Sequence, residues 1–257
     1  MGMRRHELSD DEWRIIEPLL PRNSRGVARV DDRRVINGIL WRFRTGSSWR
    51  DVPERYGPRT TLYNRFSRWR AAGVWDRLLA AVSEAYDGDI VMIDSSCVRS
   101  TSMGPRAKRG SGDPCMGRSR GGLTTKIHAL VDAEGRPIRI ELTAGQAGDA
   151  PVAATLLADI RPGAAVVADK AYDTDGVRAF VQDRGAWPNI PPRSIRKATF
   201  SFSRWVYRQR NLVERFFNRI KQMRGIATRY DRRADNFLAA IKLVAARLWS
   251  TRYESAS

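Results

Sequence analysis

Three carboxylates stand where this sequence can do chemistry. Asp94 and Asp169 each close an apolar run, VMID and VVAD, and Glu214 is the lone acid among cations in YRQRNLVERFFNRIK, residues 207–221. On a helix advancing about 100° per residue, Tyr207, Arg210, Glu214 and Lys221 fall within roughly 60° of one another, which makes one charged stripe. Leu212, Val213, Phe216, Ile220 and Met223 take the opposite side of the same wheel. A carboxylate in a phosphate-attracting field is what metal-assisted phosphoryl transfer requires, provided other carboxylates converge on it. The plainer alternative is an amphipathic helix with a basic solvated face. Asp94 and Asp169 are the partners that the chemical reading needs.

The metal implied by such a set is a hard one. Three carboxylates without histidine or thiolate suit Mg²⁺ or Mn²⁺. The chain has only two cysteines and two histidines, and Cys97 and Cys115 lie far apart with no CxxC, so zinc-ligand spacing is absent. No apolar run approaches a membrane span and the N-terminus carries no apolar signal core, so the expected place is the cytoplasm.

Charge names the class of partner. The 257 residues carry 46 Lys and Arg against 28 Asp and Glu, a net charge of +18, which favours a polyanion. More than half of that excess lies in residues 193–235, where 13 basic side chains face 3 acidic ones. Forty of the 46 basic residues are arginine, the side chain suited to bidentate phosphate contacts. With 42% hydrophobic residues the chain has enough apolar material for a real core.

The elements that must position these groups follow from periodicity. Residues 7–20 start at a cap-like Ser9 with Glu12 three positions on, and Asp31 or Asp32 opens a second helix through Val35, Ile36, Ile39, Leu40 and Phe43. Residues 48–70 read as a helix-turn-helix: Ser48 caps WRDVPERYG, Gly57 and Pro58 turn the chain, and RTTLYNRFSRWRAAG follows with Leu62, Phe66 and Trp69 inward. That leaves Arg59, Thr60, Asn64, Arg65 and Arg68 to touch DNA, with a purely structural bundle as the alternative. Trp75, Leu78, Leu79 and Val82 form one more helix.

From Asp89 the character changes. Ile90 to Ile93 is a continuous apolar run, as expected of a strand buried on both faces, with Asp94 at its end. Residues 100–122 are a basic Gly- and Ser-rich loop, read either as a DNA clamp or as ordinary disorder. KIHALVDA and PIRIELTAG read as a hairpin turning at Glu134 and Gly135; Asp149 and Pro151 start a helix, AAVVAD is a buried strand, Asp173 and Asp175 cap the next helix, and AWPNIPPR is a last strand. His128, inside the hairpin, is expected to be packed rather than to act. Phe237, Leu238, Ile241, Val244 and Leu248 form a terminal helix expected to cover the apolar side of the Tyr207 helix.

Tyr, two residues, Arg, three, Glu, six, Lys, preceded by Asp in VMIDSS and Asp in VVADKAYD, resembles the DDE transposases of bacterial insertion sequences, in the branch with the Tyr-Arg-Glu-Lys signature. LSDDEWRIIEPLLP and SWRDVPERYGPRTTLYNRFSRW are similar to that branch too. The resemblance implies an α/β, ribonuclease-H-like catalytic domain over residues 89–257, a mixed sheet with flanking helices, preceded by a helical, helix-turn-helix-like DNA-binding domain over residues 1–88. It implies that Asp94, Asp169 and Glu214 are catalytic and hold the metal, and that Tyr207, Arg210 and Lys221 contact DNA. The implied activity is cleavage at the element's terminal inverted repeats and joining of the 3′-hydroxyl ends to target DNA, by a homodimer or higher oligomer. A DNA-binding regulator derived from a transposase, and a nuclease that never joins, are the rival readings.

Overall fold

The computed structural model describes residues 6–21, 30–84, 86, 88–101, 113–119, 121–197 and 200–253. The basic loop expected over 100–122 falls largely outside them. The chain forms two compact units: Met1–Glu84 with Thr101–Met103 and Ile220–Ser257, and Ala85–Ser100 with Gly104–Arg219. The last part of the chain thus clusters with the N-terminal helices.

In the first unit, helix α1 (Asp10–Ile16) starts in a capping box: Ser9 accepts from the Glu12 amide while Glu12 accepts from that of Ser9. Asp31 caps α2 (Asp32–Thr45) and Pro58 precedes α3 (Arg59–Ala71), followed by α4 (Val74–Ser83). The first half of the expected helix-turn-helix is not an α-helix. Residues 48–57 make two 3₁₀ turns, Trp49–Asp51 and Glu54–Tyr56, separated by Pro53, which supplies no amide donor, and closed by Gly57 at φ 106°. Gly38 lets α2 approach α3: a Cβ there would lie 2.4 Å from the Leu62 side chain.

The terminal helix, Ala234–Tyr253, packs on α4, α1 and α3. Phe237, Ala240, Ile241, Leu243, Val244, Ala245, Ala246 and Trp249 are all buried, so this helix is apolar around most of its circumference and sits within the bundle of the first unit. A buried ion pair, Arg42 to Asp231 at 3.0 Å, ties α2 to the loop before it.

The second unit is the expected α/β arrangement. Its strands are β1 (Ile90–Ser100), β2 (Gly117–Ser119), β3 (Gly122–Asp132), β4 (Pro137–Ala144), β5 (Ala165–Val167) and β6 (Trp187–Asn189). They run in the order β2-β3-β1-β5-β6, with β4 also on β3. The β1–β3 and β3–β4 pairs are antiparallel and β1–β5–β6 parallel, so the sheet is mixed. Helices α5 (Ala150–Leu156) and α6 (Asp175–Gln182) cover one face through a core containing Val91, Ile93, Leu156, Val166, Tyr172 and Val181.

Asp173 does not cap α6. Thr174 does, accepting from the Val177 amide at 3.2 Å, because Asp173 is drawn inward. Its carboxylate is buried and accepts from Arg178 at 2.7 Å, Arg196 at 2.9 Å and the Arg193 amide at 2.7 Å. Burial alone would raise its pKa, but the Arg193 amide and the two guanidiniums hold it below the ordinary aspartate range.

Candidate active site

Strand register brings two of the three carboxylates together. The last parallel pair of β1 and β5 joins Met92 to Val167. Two residues further along the chain come Asp94, within β1, and Asp169, just past the end of β5, which brings the two carboxylates near each other where the neighbouring strands, about 4.8 Å apart, stop pairing. This is the carboxyl end of the parallel strands, where open α/β sheets place their ligands. Asp169 also caps a short turn, accepting from the Ala171 amide at 2.8 Å, and Asp94 accepts from the Ser95 amide at 2.8 Å.

The third carboxylate arrives on a helix that is not uniform. The path runs through α7 (Arg204–Tyr207), a 3₁₀ turn at Arg208–Arg210, and α8 (Asn211–Lys221). The tight turn advances about 120° per residue instead of 100°, so the expected single stripe is rotated between Tyr207 and Glu214. Val213, Phe216, Phe217 and Ile220 are buried, as the apolar side requires. The backbone of Leu212 lies against Gly135 in the β3–β4 turn, where a Cβ would come within 2.9 Å of the Leu212 carbonyl.

Arg210 joins the parts. Its guanidinium donates to Asp94 at 2.5 Å and to Glu214 at 2.7 Å, linking the middle of β1 to α8. Asp94 is mostly buried, its side chain 17% exposed, whereas Glu214 is 54% exposed. Burial pushes the Asp94 carboxyl above its ordinary pKa; the Ser95 amide and Arg210 oppose this, and the nearby Asp169 charge adds to it. Burial works against the charge of Arg210, but the carboxylates of Asp94, Glu214 and Asp169 outweigh it and raise its pKa. Among the described residues no three of Asp, Glu, His and Cys approach closely enough to hold one metal ion. A guanidinium takes the position of positive charge between Asp94 and Glu214.

The other expected contacts divide. Arg59, Asn64 and Arg68 are exposed on α3, but Arg65 is turned inward: it pairs with Asp32, donates to the Val30 carbonyl and lies over the Trp69 ring. Its position three residues after Leu62 and one before Phe66 puts it at the edge of the buried face. Tyr207 is half-buried, its ring 5.3 Å from that of Phe202. Lys221 is half-buried at the end of α8.

Two groups near the carboxylates escaped the sequence. Asp149, read only as a helix start, accepts from the Ser95 hydroxyl at 2.9 Å and from Lys126 at 2.8 Å, and lies 3.8 Å from His128. His128 is fully buried; burial lowers its pKa to about 4, so it is neutral at pH 7, with Thr143 on its Nε2 at 2.8 Å. Strand alternation in β3 sets Lys126 and His128 on one face, which was legible; the return of Asp149 onto that face was not. Tyr172 is the second. Its hydroxyl is buried, and burial together with the charges of Asp149, Asp94 and Asp169 raises its pKa.

Residues 85–249 match the family model of the transposase DDE domain, and residues 8–79 that of a putative transposase of the IS4/5 family. A putative transposase for insertion sequence element IS6501 of Brucella ovis is 38% identical over 128 residues, 49% of this chain and 98% of its own. An uncharacterized 16.2 kDa protein of insertion element IS402 from Burkholderia cepacia is 37% identical over 113 residues, 38% of this chain and 77% of its own. In fold, the chain is similar to piggyBac transposase in a synaptic complex with hairpin DNA, with a TM-score of 0.51 at 11% identity, over 95% of this chain and 72% of that one. With a ribonuclease-H-like mixed sheet, two aspartates just past the last parallel pair of adjacent strands and a DDE-domain match over most of its length, the chain belongs to the DDE transposases of insertion sequences.

Proposed function

We propose that Asp94, Asp169 and Glu214 are the catalytic carboxylates, and that the chain cuts DNA at the terminal inverted repeats of its element and joins the freed 3′-hydroxyl ends to target DNA. The observation that carries this is the Arg210 bridge, which couples Asp94 on β1 to Glu214 on α8. In this reading Tyr207, Arg210, Glu214 and Lys221 form the Tyr-Arg-Glu-Lys signature, the chain works as a homodimer or higher oligomer on DNA in the cytoplasm, and residues 1–88 bind the repeat through Arg59, Asn64 and Arg68.

The residues fit a hard divalent cation, Mg²⁺ or Mn²⁺: the donors are carboxylate oxygens only, and Asp94 carries a desolvated charge that a cation would offset. Asp94 and Asp169 would hold it, joined by Glu214. When bound, it supplies a Lewis acid for the attacking and leaving oxygens of the scissile phosphate. Arg210 pairs with two of the three carboxylates, offsetting one of their charges, and its guanidinium is a donor for a phosphate oxygen placed beside them. Exchange of its partners, from Glu214 to a phosphate oxygen, frees Glu214 toward the aspartates. Phe216 and Phe217 anchor α8 while Glu214 stays open to solvent.

Asp94→Asn, Asp169→Asn and Glu214→Gln should each abolish cleavage of a plasmid carrying the element's ends, with end binding retained in a mobility-shift assay. Wild-type cleavage by any one of them removes that residue from the site. A pre-cut end labelled at its 3′-hydroxyl then separates a transposase from a nuclease, which yields no joined product, and from a regulator, which neither cuts nor joins.

A further inference from the structure

The expected stripe of Tyr207, Arg210 and Lys221 is not the exposed one. Tyr207, Arg210 and Lys221 are all partly buried, and Arg210 is committed to Asp94 and Glu214. The exposed side chains of the same helical path are Arg204, Trp205, Arg208, Asn211, Glu214, Arg215, Asn218 and Arg219, and the basic and aromatic ones among them are Arg204, Trp205, Arg208, Arg215 and Arg219. At 100° per residue, with 120° through the 3₁₀ turn, they stay within an arc of about 120°, and from Arg204 to Arg219 they span roughly 22 Å at 1.5 Å per residue. Among the described residues none of these four arginines is engaged in an ion pair or a side-chain hydrogen bond. Trp205 is 67% exposed, and among the described residues it makes no ring contact, while its neighbours Phe202 and Tyr207 pair with each other.

A large exposed indole set among arginines has a specific use. An apolar patch seeking protein would have apolar neighbours, and a solvated basic face has no need of tryptophan. Guanidiniums follow a phosphate backbone, and an indole face stacks on any unpaired base. Duplex DNA offers phosphates but no open base face, so the combination fits a single strand or a frayed end.

We propose that the Arg204, Trp205, Arg208, Arg215 and Arg219 face binds the unpaired strand of a DNA end, with a base stacked on Trp205 and the arginines along its backbone. The proposal rests on the reading of the chain as a DNA-cutting enzyme. It places the strand on the side chains next to Arg210 and Glu214 in sequence, so that an opened end is held beside the carboxylates.

The test is equilibrium binding of the full-length protein, in chelator, to a blunt duplex and to the same duplex with a 3′ single-stranded extension carrying 2-aminopurine. Trp205→Ala should weaken binding of the extended duplex about tenfold, within the 1–3 kcal/mol range for one stacked base, abolish quenching of the 2-aminopurine, and leave blunt-end affinity unchanged. Trp205→Phe, which keeps a stacking face, should retain the quenching. Arg204→Ala with Arg208→Ala should reduce the salt slope on the extended duplex by about 1.4, or 0.7 per phosphate on a single strand. Equal affinities of wild type and Trp205→Ala for the extended duplex, an equal loss on both duplexes, or an unchanged salt slope would overturn the proposal. Because no metal is present, the result does not depend on the carboxylates: a chain that fails to cleave can still pass this test, and a cleaving chain can fail it.

Discussion

Gly135 offers a way to move Glu214 without touching it. It turns the β3–β4 hairpin at φ +74°, and a Cβ there would lie 2.9 Å from the Leu212 carbonyl oxygen and 3.2 Å from the Leu212 Cβ, two residues before Glu214. Gly135→Ala therefore has two effects. The left-handed backbone costs roughly 1–2 kcal/mol for a residue with a Cβ, and restoring ordinary contact requires α8 to retreat by about 0.5 Å. A 1 Å misplacement of a reacting group costs on the order of 100-fold, so half of that should lower cleavage about tenfold. Gly163 supplies the control: its φ is +86° and an added Cβ would meet nothing within 4 Å. Gly163→Ala should show a similar loss of stability in thermal melts and no loss of cleavage beyond it. Equal cleavage by the two variants, at equal folded fraction, would refute the idea that the hairpin turn positions α8.

The remaining predictions concern charge. The folded Asp94 has a raised pKa, so its ionised form weighs against folding: stability falls as pH rises from the ordinary aspartate value near 4 through the raised one. Asp94→Asn should thus melt above wild type at pH 7 without metal, and the gap should close below about pH 4; a lower melting point at pH 7 would contradict this. Asp173 has the opposite sign. Its lowered pKa contributes stability above the unfolded value that fades as pH falls through the folded one, and Asp173→Asn, which leaves the buried Arg178 without its carboxylate partner, should cost about 3 kcal/mol at pH 7 by denaturant titration. Arg65→Ala should lower stability through loss of the Asp32 pair, whereas Arg59→Ala, Asn64→Ala and Arg68→Ala should weaken DNA binding with little change in melting temperature. A variant of Arg65 that alters binding and leaves the melting temperature unmoved would reverse that division.

Much of the second unit was legible because its signals are local. Ile90–Ile93 and Ala165–Val167 are short apolar runs ended by aspartate, the hairpin turns at Glu134 and Gly135 as expected, and α5 begins after Asp149. The neighbouring position of Asp94 and Asp169 follows once these two strands pair in parallel. What was hidden depends on side chains that leave their own element. Arg65 has the spacing of a surface residue, yet Asp32 on α2 draws it in. Asp173 has the type and place of a helix cap, yet three donors from residues 178–196 take it inward. The 3₁₀ turn at Arg208–Arg210 cannot be seen in a wheel built on one angle per residue, and it separates the charged side of this helix into a partly buried, paired Arg210 and an exposed arginine face. The terminal helix was placed by one apolar stripe, but its alanines at 239, 240, 245 and 246 are buried as well, the mark of an element enclosed on several sides.

The central claim is that Asp169 and its two partner carboxylates hold the divalent ions that carry cleavage and joining. The direct measurement is strand transfer of a pre-cut, 3′-labelled end by Asp169→Cys in Mg²⁺ and, separately, in Mn²⁺. A thiolate is a poor ligand for Mg²⁺ and a better one for the softer ion, so joined product should be absent in Mg²⁺ and reappear in Mn²⁺, with end binding unchanged in both. Joined product at the wild-type rate in Mg²⁺ would contradict the claim.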